Sequence, residues 1–102
     1  MADKEEVYSS GIWQVKKGQE IKFMALFQEF AGFVRSQGII EGKLLQQVDN
    51  PNSFVSIGLW ENTEATQRWQ NTTEYKDYMA KFAELCDSRQ IKIFKPVIKV
   101  KK

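Results

Sequence analysis

The sequence contains no histidine, a single cysteine and only two prolines, and no apolar run approaches the roughly 20 residues that span a bilayer. Each shortage removes a class of chemistry. With Cys86 alone and no imidazole, the chain has neither an internal disulfide nor the ligands of a thiolate or histidine zinc site, and nucleophile-histidine pairs are excluded as well. No metal is therefore expected. The opening, MADKEEVY, carries acids and no apolar core, unlike a secretory signal or an Arg-rich transit peptide, so the expected location is cytoplasmic. Net charge is only +2, and although Lys92, Lys95, Lys99, Lys101 and Lys102 crowd the C-terminal segment, they alternate with Ile91, Ile93 and Val97. That is the pattern of a strand with a solvated or edge-protecting side, so neither nucleic acid nor membrane is expected as a partner.

What is present is an ordinary globular composition, 42% hydrophobic, 27% charged and 13% aromatic over 102 residues, enough for one modest core. Residues 1–6 are expected to be disordered and 7–100 to form a single domain, without internal repeat, linker or low-complexity tract. Val7 to Val15 reads as a strand with Val7, Ser9, Gly11, Trp13 and Val15 on one face. Gly11 inside it marks a bulge or a close approach by another group. After Lys16, Lys17 and Gly18, a helix is predicted over about Glu20 to Gln37, because Phe23, Leu26, Phe27, Phe30, Phe33 and Val34 recur at helical spacing. Gly38 stands at its left-handed C-terminal cap, and Gly32 within it suggests tight packing against a neighbour.

A second strand is predicted from about Gly42 to Val48 and a third from Phe54 to Trp60, joined as a hairpin by the turn-forming run Asp49 to Ser53. The chain then turns a corner, FVSIGLWENTEATQRW, in which the strand ends at Trp60, Asn62 caps a short helix from Thr63 to about Gln70, and Trp69 closes it. Thr73 is placed to cap a second helix over about Glu74 to Asp87, with Tyr75, Tyr78, Met79, Phe82 and Leu85 on one face. A last strand is expected from about Ile91, with Pro96 at a bulge or an edge where the apolar phase changes. The order strand, helix, strand, strand, helix pair, strand predicts an α+β fold of ferredoxin-like βαββαβ type, an antiparallel sheet with helices on one face. Apolar residues on both strand faces leave the other face to be covered by a second copy, which makes the expected partner a homodimer.

The strand ending at Val15 to Gly18, the aromatic helix, the hairpin, and above all LWENTEATQRW followed by a helix carrying Glu74, Tyr75 and Tyr78, resemble the antibiotic biosynthesis monooxygenase (ABM) domains of the dimeric α+β barrel superfamily. The resemblance implies dimerisation through the open sheet face, with the C-terminal strand at the subunit contact, and a small-molecule pocket between sheet and helices. It also implies a range of chemistries: cofactor-independent oxygenation of quinol-like polyketides, quinol oxidation, haem degradation and sugar-phosphate isomerisation. In the haem-degrading branch three residues matter, and the matching turn and corner lay the tryptophan onto Trp69, the strand asparagine onto Gly11 and the iron-ligating histidine onto Met79. Two of the three are replaced, which argues against haem, so the expected cofactor is none.

Trp69 is thus the leading candidate for a pocket wall. Trp13 could stack on a flat substrate entering the space left by Gly11, Tyr75 and Tyr78 could donate a proton to a developing oxyanion, and Phe27 and Met79 complete the ligand-pocket candidates. Cys86 reads as packing, and Arg68 as a solvated residue of a surface helix. A base is not marked by spacing, the possibilities being Glu61, Asp77 and the tyrosines, so no catalytic residue is assigned. Three functions follow. The leading one is a cofactor-independent monooxygenase or oxidase acting on a quinol-like or polycyclic aromatic molecule, an oxidoreductase. The alternatives are a non-catalytic dimeric small-ligand binding protein and a haem binder lacking the usual histidine.

Overall fold

The computed structural model describes residues 6–102, so all of the expected disordered segment except Glu6 lies outside the described residues. The elements in order are β1 (Val7–Val15), α1 (Glu20–Ser36), β2 (Glu41–Gln47), β3 (Asn50–Trp60), α2 (Thr63–Gln70), α3 (Thr73–Leu85) and β4 (Cys86–Phe94). The strands form one antiparallel sheet in the order β2-β3-β1-β4. The helices pack on one of its faces, which is the ferredoxin-like α+β arrangement expected from the element order.

The core lies between that sheet face and the helices. On the sheet side Val7, Trp13, Val15, Phe54 and Trp60 are buried, and they meet Phe23, Phe30 and Val34 of α1, Trp69 of α2, and Met79 and Phe82 of α3. Trp13, Phe23, Phe54 and Phe82 form one aromatic knot, with ring centroids 4.8 Å apart for Trp13–Phe82 and Phe23–Phe54. Tilted contacts of this kind suit the ring quadrupoles and add roughly 0.5–1.5 kcal/mol per pair to the area buried. The helical spacing of phenylalanines in α1 is therefore explained by core packing alone for most of its length.

Local punctuation follows the residues closely. Gly18 and Gly38 both take positive φ, at 86° and 96°, where the chain leaves β1 and where α1 ends. The Asn62 side-chain oxygen accepts from the Ala65 N–H at 2.9 Å and so caps α2. Asn62→Ala is expected to cost about 1 kcal/mol of unfolding free energy, measured by urea denaturation, while Asn62→Asp leaves it nearly unchanged.

Four expectations need correction. Gly32 is exposed with no group within 4 Å of where its Cβ would be, so it marks no tight packing. The hairpin turn is shorter than the run of turn formers: β3 begins at Asn50, Gln47 pairs with Asn50, and the register slips between Gln46 and Gln47. Asn52 lies inside β3, where its amide donates to the Val15 carbonyl at 3.0 Å and to Glu20 Oε2 at 2.7 Å, tying the hairpin to β1 and α1. Thr72, one residue before the expected cap, accepts from the Tyr75 N–H at 3.1 Å and starts α3.

The fourth correction concerns the C-terminal strand. It begins directly at Cys86, because the Lys16 N–H donates to the Leu85 carbonyl at 2.8 Å and β1 takes up pairing at Val15 and Cys86, across a register shift. Cross-strand pairing here overrides a segment, CDSRQ, that has little strand character of its own. The strand ends at Phe94, so Pro96 lies beyond it, and Val97, Ile98 and Val100 extend exposed and outside the sheet. Along β4 Ile91 and Ile93 are half-buried and Lys92 is exposed, which fits an edge strand with a solvated side.

Among the described residues, nothing covers the opposite sheet face. The register aligns Leu45, Val55 and Ile12 in one row, Lys43, Ile57, Ser10 and Lys92 in the next, and Glu41, Leu59, Tyr8 and Phe94 in a third. Among them Ile12 is 46% exposed, Leu45 46% and Phe94 53%. A patch this apolar is unusual on a surface that stays wet.

Candidate functional site

The core-side face of the sheet carries bulky residues at its ends and small ones in the middle. Across β2, β3 and β1 the register aligns Gly42, Gly58 and Ser9 in one row and Leu44, Ser56 and Gly11 in the next. With only Leu44 large among these six residues, space is left between the sheet and α1. A cavity of about 520 Å³ occupies it, within the range of ordinary small-molecule sites.

Its walls come from four places. Helix α1 contributes Phe27, Phe30, Ala31, Val34 and Arg35, the connection to β2 contributes Ile39 and Ile40, the strands contribute Ser9, Gly42, Leu44, Ser56, Gly58 and Trp60, and α2 contributes Trp69. Trp69 stacks on Trp60 with centroids 4.7 Å apart and planes 27° from parallel. The corner after β3 therefore places its two tryptophans as one aromatic slab, and Trp60 lines the cavity beside Trp69. Tyr75 meets the Trp69 ring edge-on at 5.0 Å and Phe30 lies at 6.0 Å, which fixes the indole in place.

Of the ligand-pocket candidates, the structure puts Trp69 and Phe27 on the cavity wall, and the other five elsewhere. Trp13 is buried in the aromatic knot, and its indole N–H donates to Ser56 Oγ at 3.0 Å. The space that Gly11 leaves is already filled: a Cβ there would stand 2.5 Å from Ser56 Oγ and 2.6 Å from Trp13 Nε1. The expected close approach at Gly11 is thus made by the chain itself and not by a ligand. Met79 is buried in the core on α3 and offers no ligand atom to the cavity. Tyr78 stacks on Phe33 at 5.8 Å and touches Phe30 edge-on at 5.2 Å, behind the cavity wall. Tyr75 supports Trp69 from the side.

The titratable groups limit the chemistry. Burial raises the Tyr75 phenol above its ordinary value, with Arg89 pulling the other way, and desolvation followed by the Glu29 carboxylate raises that of Tyr78. Both stay protonated at neutral pH, as donors rather than bases. Burial likewise raises the Cys86 thiol, against the smaller opposing pull of Arg89, so it is not an activated nucleophile. The one carboxylate among the lining residues is Glu41, and its pairing with Leu59 sets its side chain toward the opposite sheet face. Neither Glu61 nor Asp77 reaches the cavity. No group of three or more metal-ligating side chains occurs among the described residues, and no helix there is long and apolar enough to cross a membrane.

The groups missed by sequence reasoning are two hydroxyls. Ser9 and Ser56 line the cavity, and each accepts a tryptophan N–H: Trp60 donates to Ser9 Oγ at 3.0 Å, as Trp13 does to Ser56. A signal for them exists, since Ser-x-Gly-x-Trp occurs twice, at residues 9–13 and 56–60. In Trp69, by contrast, the N–H is buried and has no partner among the described residues.

The family model described as antibiotic biosynthesis monooxygenase matches residues 11–81. Among solved structures, the chain is similar to SnoaB, a cofactor-independent oxygenase from Streptomyces nogalater, with a TM-score of 0.87 and 22% identity over 96% of this chain and 99% of that one. It is also similar to protein SO0527 from Shewanella oneidensis (TM-score 0.84, 16% identity, 95% and 96% of the two chains). A conserved protein from Methanosarcina mazei Go1 matches at a TM-score of 0.81 and 18% identity, over 89% of this chain and 92% of that one. At these identities the likeness establishes the fold. No curated protein matches the chain.

Proposed function

Because the chain belongs to the antibiotic biosynthesis monooxygenase family, we propose that it oxygenates a reduced, electron-rich aromatic molecule, quinol-like or polycyclic, without a cofactor. The observation that carries this reading is the cavity itself, a slot of about 520 Å³ walled by Phe27, Phe30, Trp60 and Trp69, into which no carboxylate of the described residues projects. Such walls suit a flat aromatic substrate that brings its own reducing power. The SnoaB relative, a cofactor-independent oxygenase, supports the same reading by fold.

In such a reaction the substrate ionises, its proton passing to water at the cavity mouth, and gives one electron to O2; the resulting radical pair recombines and takes a proton back to form a hydroperoxide. Loss of water then gives the product: for a ring CH2 group, one oxygen atom becomes the carbonyl, and the other leaves as water with the two hydrogens. The chain contributes an aromatic slot that aligns the ring. Trp69 is the residue proposed to hold the ring, and residues 7–100 the domain that builds the slot. The reading predicts that anthrone is converted to anthraquinone with one O2 consumed per anthrone, above the rate in buffer, as measured with an oxygen electrode. Trp69→Ala is expected to lower kcat/KM by about a hundredfold, the scale on which misplacing a bound reactant acts. Uptake no faster than in buffer would defeat the proposal.

The missing interior base favours a second reading, a dimeric protein that binds a small aromatic ligand without turning it over. Binding of an anthraquinone without any anthrone-dependent oxygen uptake would select it. In either case we assign the open sheet face to a second copy of the chain, since the family is a dimeric one and Ile12, Leu45, Ile57 and Phe94 stand exposed on it.

A further inference from the structure

The two Ser-x-Gly-x-Trp segments lie side by side. On β1 and β3 the antiparallel register pairs Ser9 with Gly58 and Gly11 with Ser56, so the two copies are related by a local two-fold axis normal to the sheet. Each tryptophan N–H crosses to the serine of the other copy, at 3.0 Å in both cases. Each crossing passes over the glycine that faces that serine. A Cβ at Gly11 would come within 2.6 Å of Trp13 Nε1, and one at Gly58 within 2.8 Å of Ser9 Oγ and 3.3 Å of Trp60 Nε1. Serine, glycine and tryptophan are therefore required together.

An indole N–H can only donate, so each serine oxygen is committed as an acceptor, and its own proton is left to donate elsewhere. Among the described residues no acceptor takes either proton. Ser9 is 8% exposed, and both serines line the cavity. Two hydroxyls with free protons on one cavity floor call for a partner that carries acceptor oxygens.

We propose that Ser9 and Ser56 are the polar floor of the ligand site, donating hydrogen bonds to carbonyl or phenolate oxygens of the bound aromatic and thereby setting both its orientation and the selectivity for oxygenated rings. The two indoles act as positioning residues that hold the hydroxyls with their protons toward the cavity. This assignment rests on the proposed aromatic ligand, but not on turnover. During oxygenation the same donors would stabilise the anionic form of the substrate, together with Arg35 on the α1 wall.

The test is a matched pair of probes, anthraquinone-2-sulfonate and anthracene-2-sulfonate, titrated into the protein by calorimetry. The two share ring system and charge and differ in the carbonyl oxygens. The wild type is expected to bind the quinone about tenfold or more tighter than the hydrocarbon, and Ser9→Ala/Ser56→Ala to bring that ratio near one while hydrocarbon affinity stays within about twofold. Each single alanine variant is expected to lose part of the preference, which keeps the test decisive if the double variant folds poorly. A purely structural role for the serines would weaken both probes in parallel and overturn the inference, as would a wild-type ratio of one. A ratio of one leaves the oxygenase reading standing, whereas absent oxygen uptake with an intact ratio defeats that reading alone.

Discussion

Replacing Trp60 with alanine is expected to lower the unfolding free energy by about 3–5 kcal/mol, the range for truncating a buried aromatic. Trp60 is 0% exposed, ends β3, and stacks on Trp69, so its loss opens a void and frees the second indole at once. Packing, rather than the hydrogen bond to Ser9, dominates this figure. Ser9→Ala leaves the stack whole and removes the acceptor of the Trp60 N–H, and is expected to cost about 1–2 kcal/mol. The two values, read from chemical denaturation, separate the stack from the hydrogen bond. Equal costs for both variants would show that the hydrogen bond, and not the stack, holds this corner.

Placing lysine at Ile12 and Ile57 is expected to convert a dimer into a monomer. The two residues project from β1 and β3 on the uncovered face, 46% and 36% exposed in the single chain. Burying four like charges at a two-fold interface, beside Lys43 and Lys92 and with Glu41 the one acid in the three rows, is expected to raise the dissociation constant by at least about a hundredfold. Light scattering at micromolar concentration would report twice the chain mass for the wild type and the chain mass for the variant. A monomeric wild type would refute the dimer outright. Because the face lies opposite the cavity, the folded variant is expected to keep its helical signal by circular dichroism.

The sequence carried the architecture well because its strongest signals were local and repeated. The phenylalanine spacing of α1, the alternation of β1 and the Asn62 cap each describe a few residues whose conformation does not depend on distant partners. The start of β4 failed that test. CDSRQ becomes a strand only because β1 is there to pair with it, and the hairpin tightened because Gln47 and Asn50 could still exchange hydrogen bonds. The candidate site was legible in part for the same reason. Trp69 and Phe27 sit at positions that family and periodicity mark, and they reach the cavity wall. Trp13, Tyr78 and Met79 share those helical or strand faces, yet a face is wider than a cavity, and which residues on it border empty space is set by the glycines and serines opposite. Ser9 and Ser56 went unnoticed because serine on a buried strand face carries no periodic signal. Only the cross-strand register shows that the repeated Ser-x-Gly-x-Trp segments interlock.

The central claim is that an oxygenated aromatic molecule lies in the cavity between α1 and the Ser9–Ser56 floor. A crystal structure with anthraquinone-2-sulfonate bound tests it most directly. The expected result is the ring system against the Trp60–Trp69 stack, with its carbonyl oxygens within hydrogen-bonding distance of Ser9 Oγ and Ser56 Oγ. A ligand found on the open sheet face, or in the cavity with its carbonyl oxygens turned away from both serines, would contradict the claim.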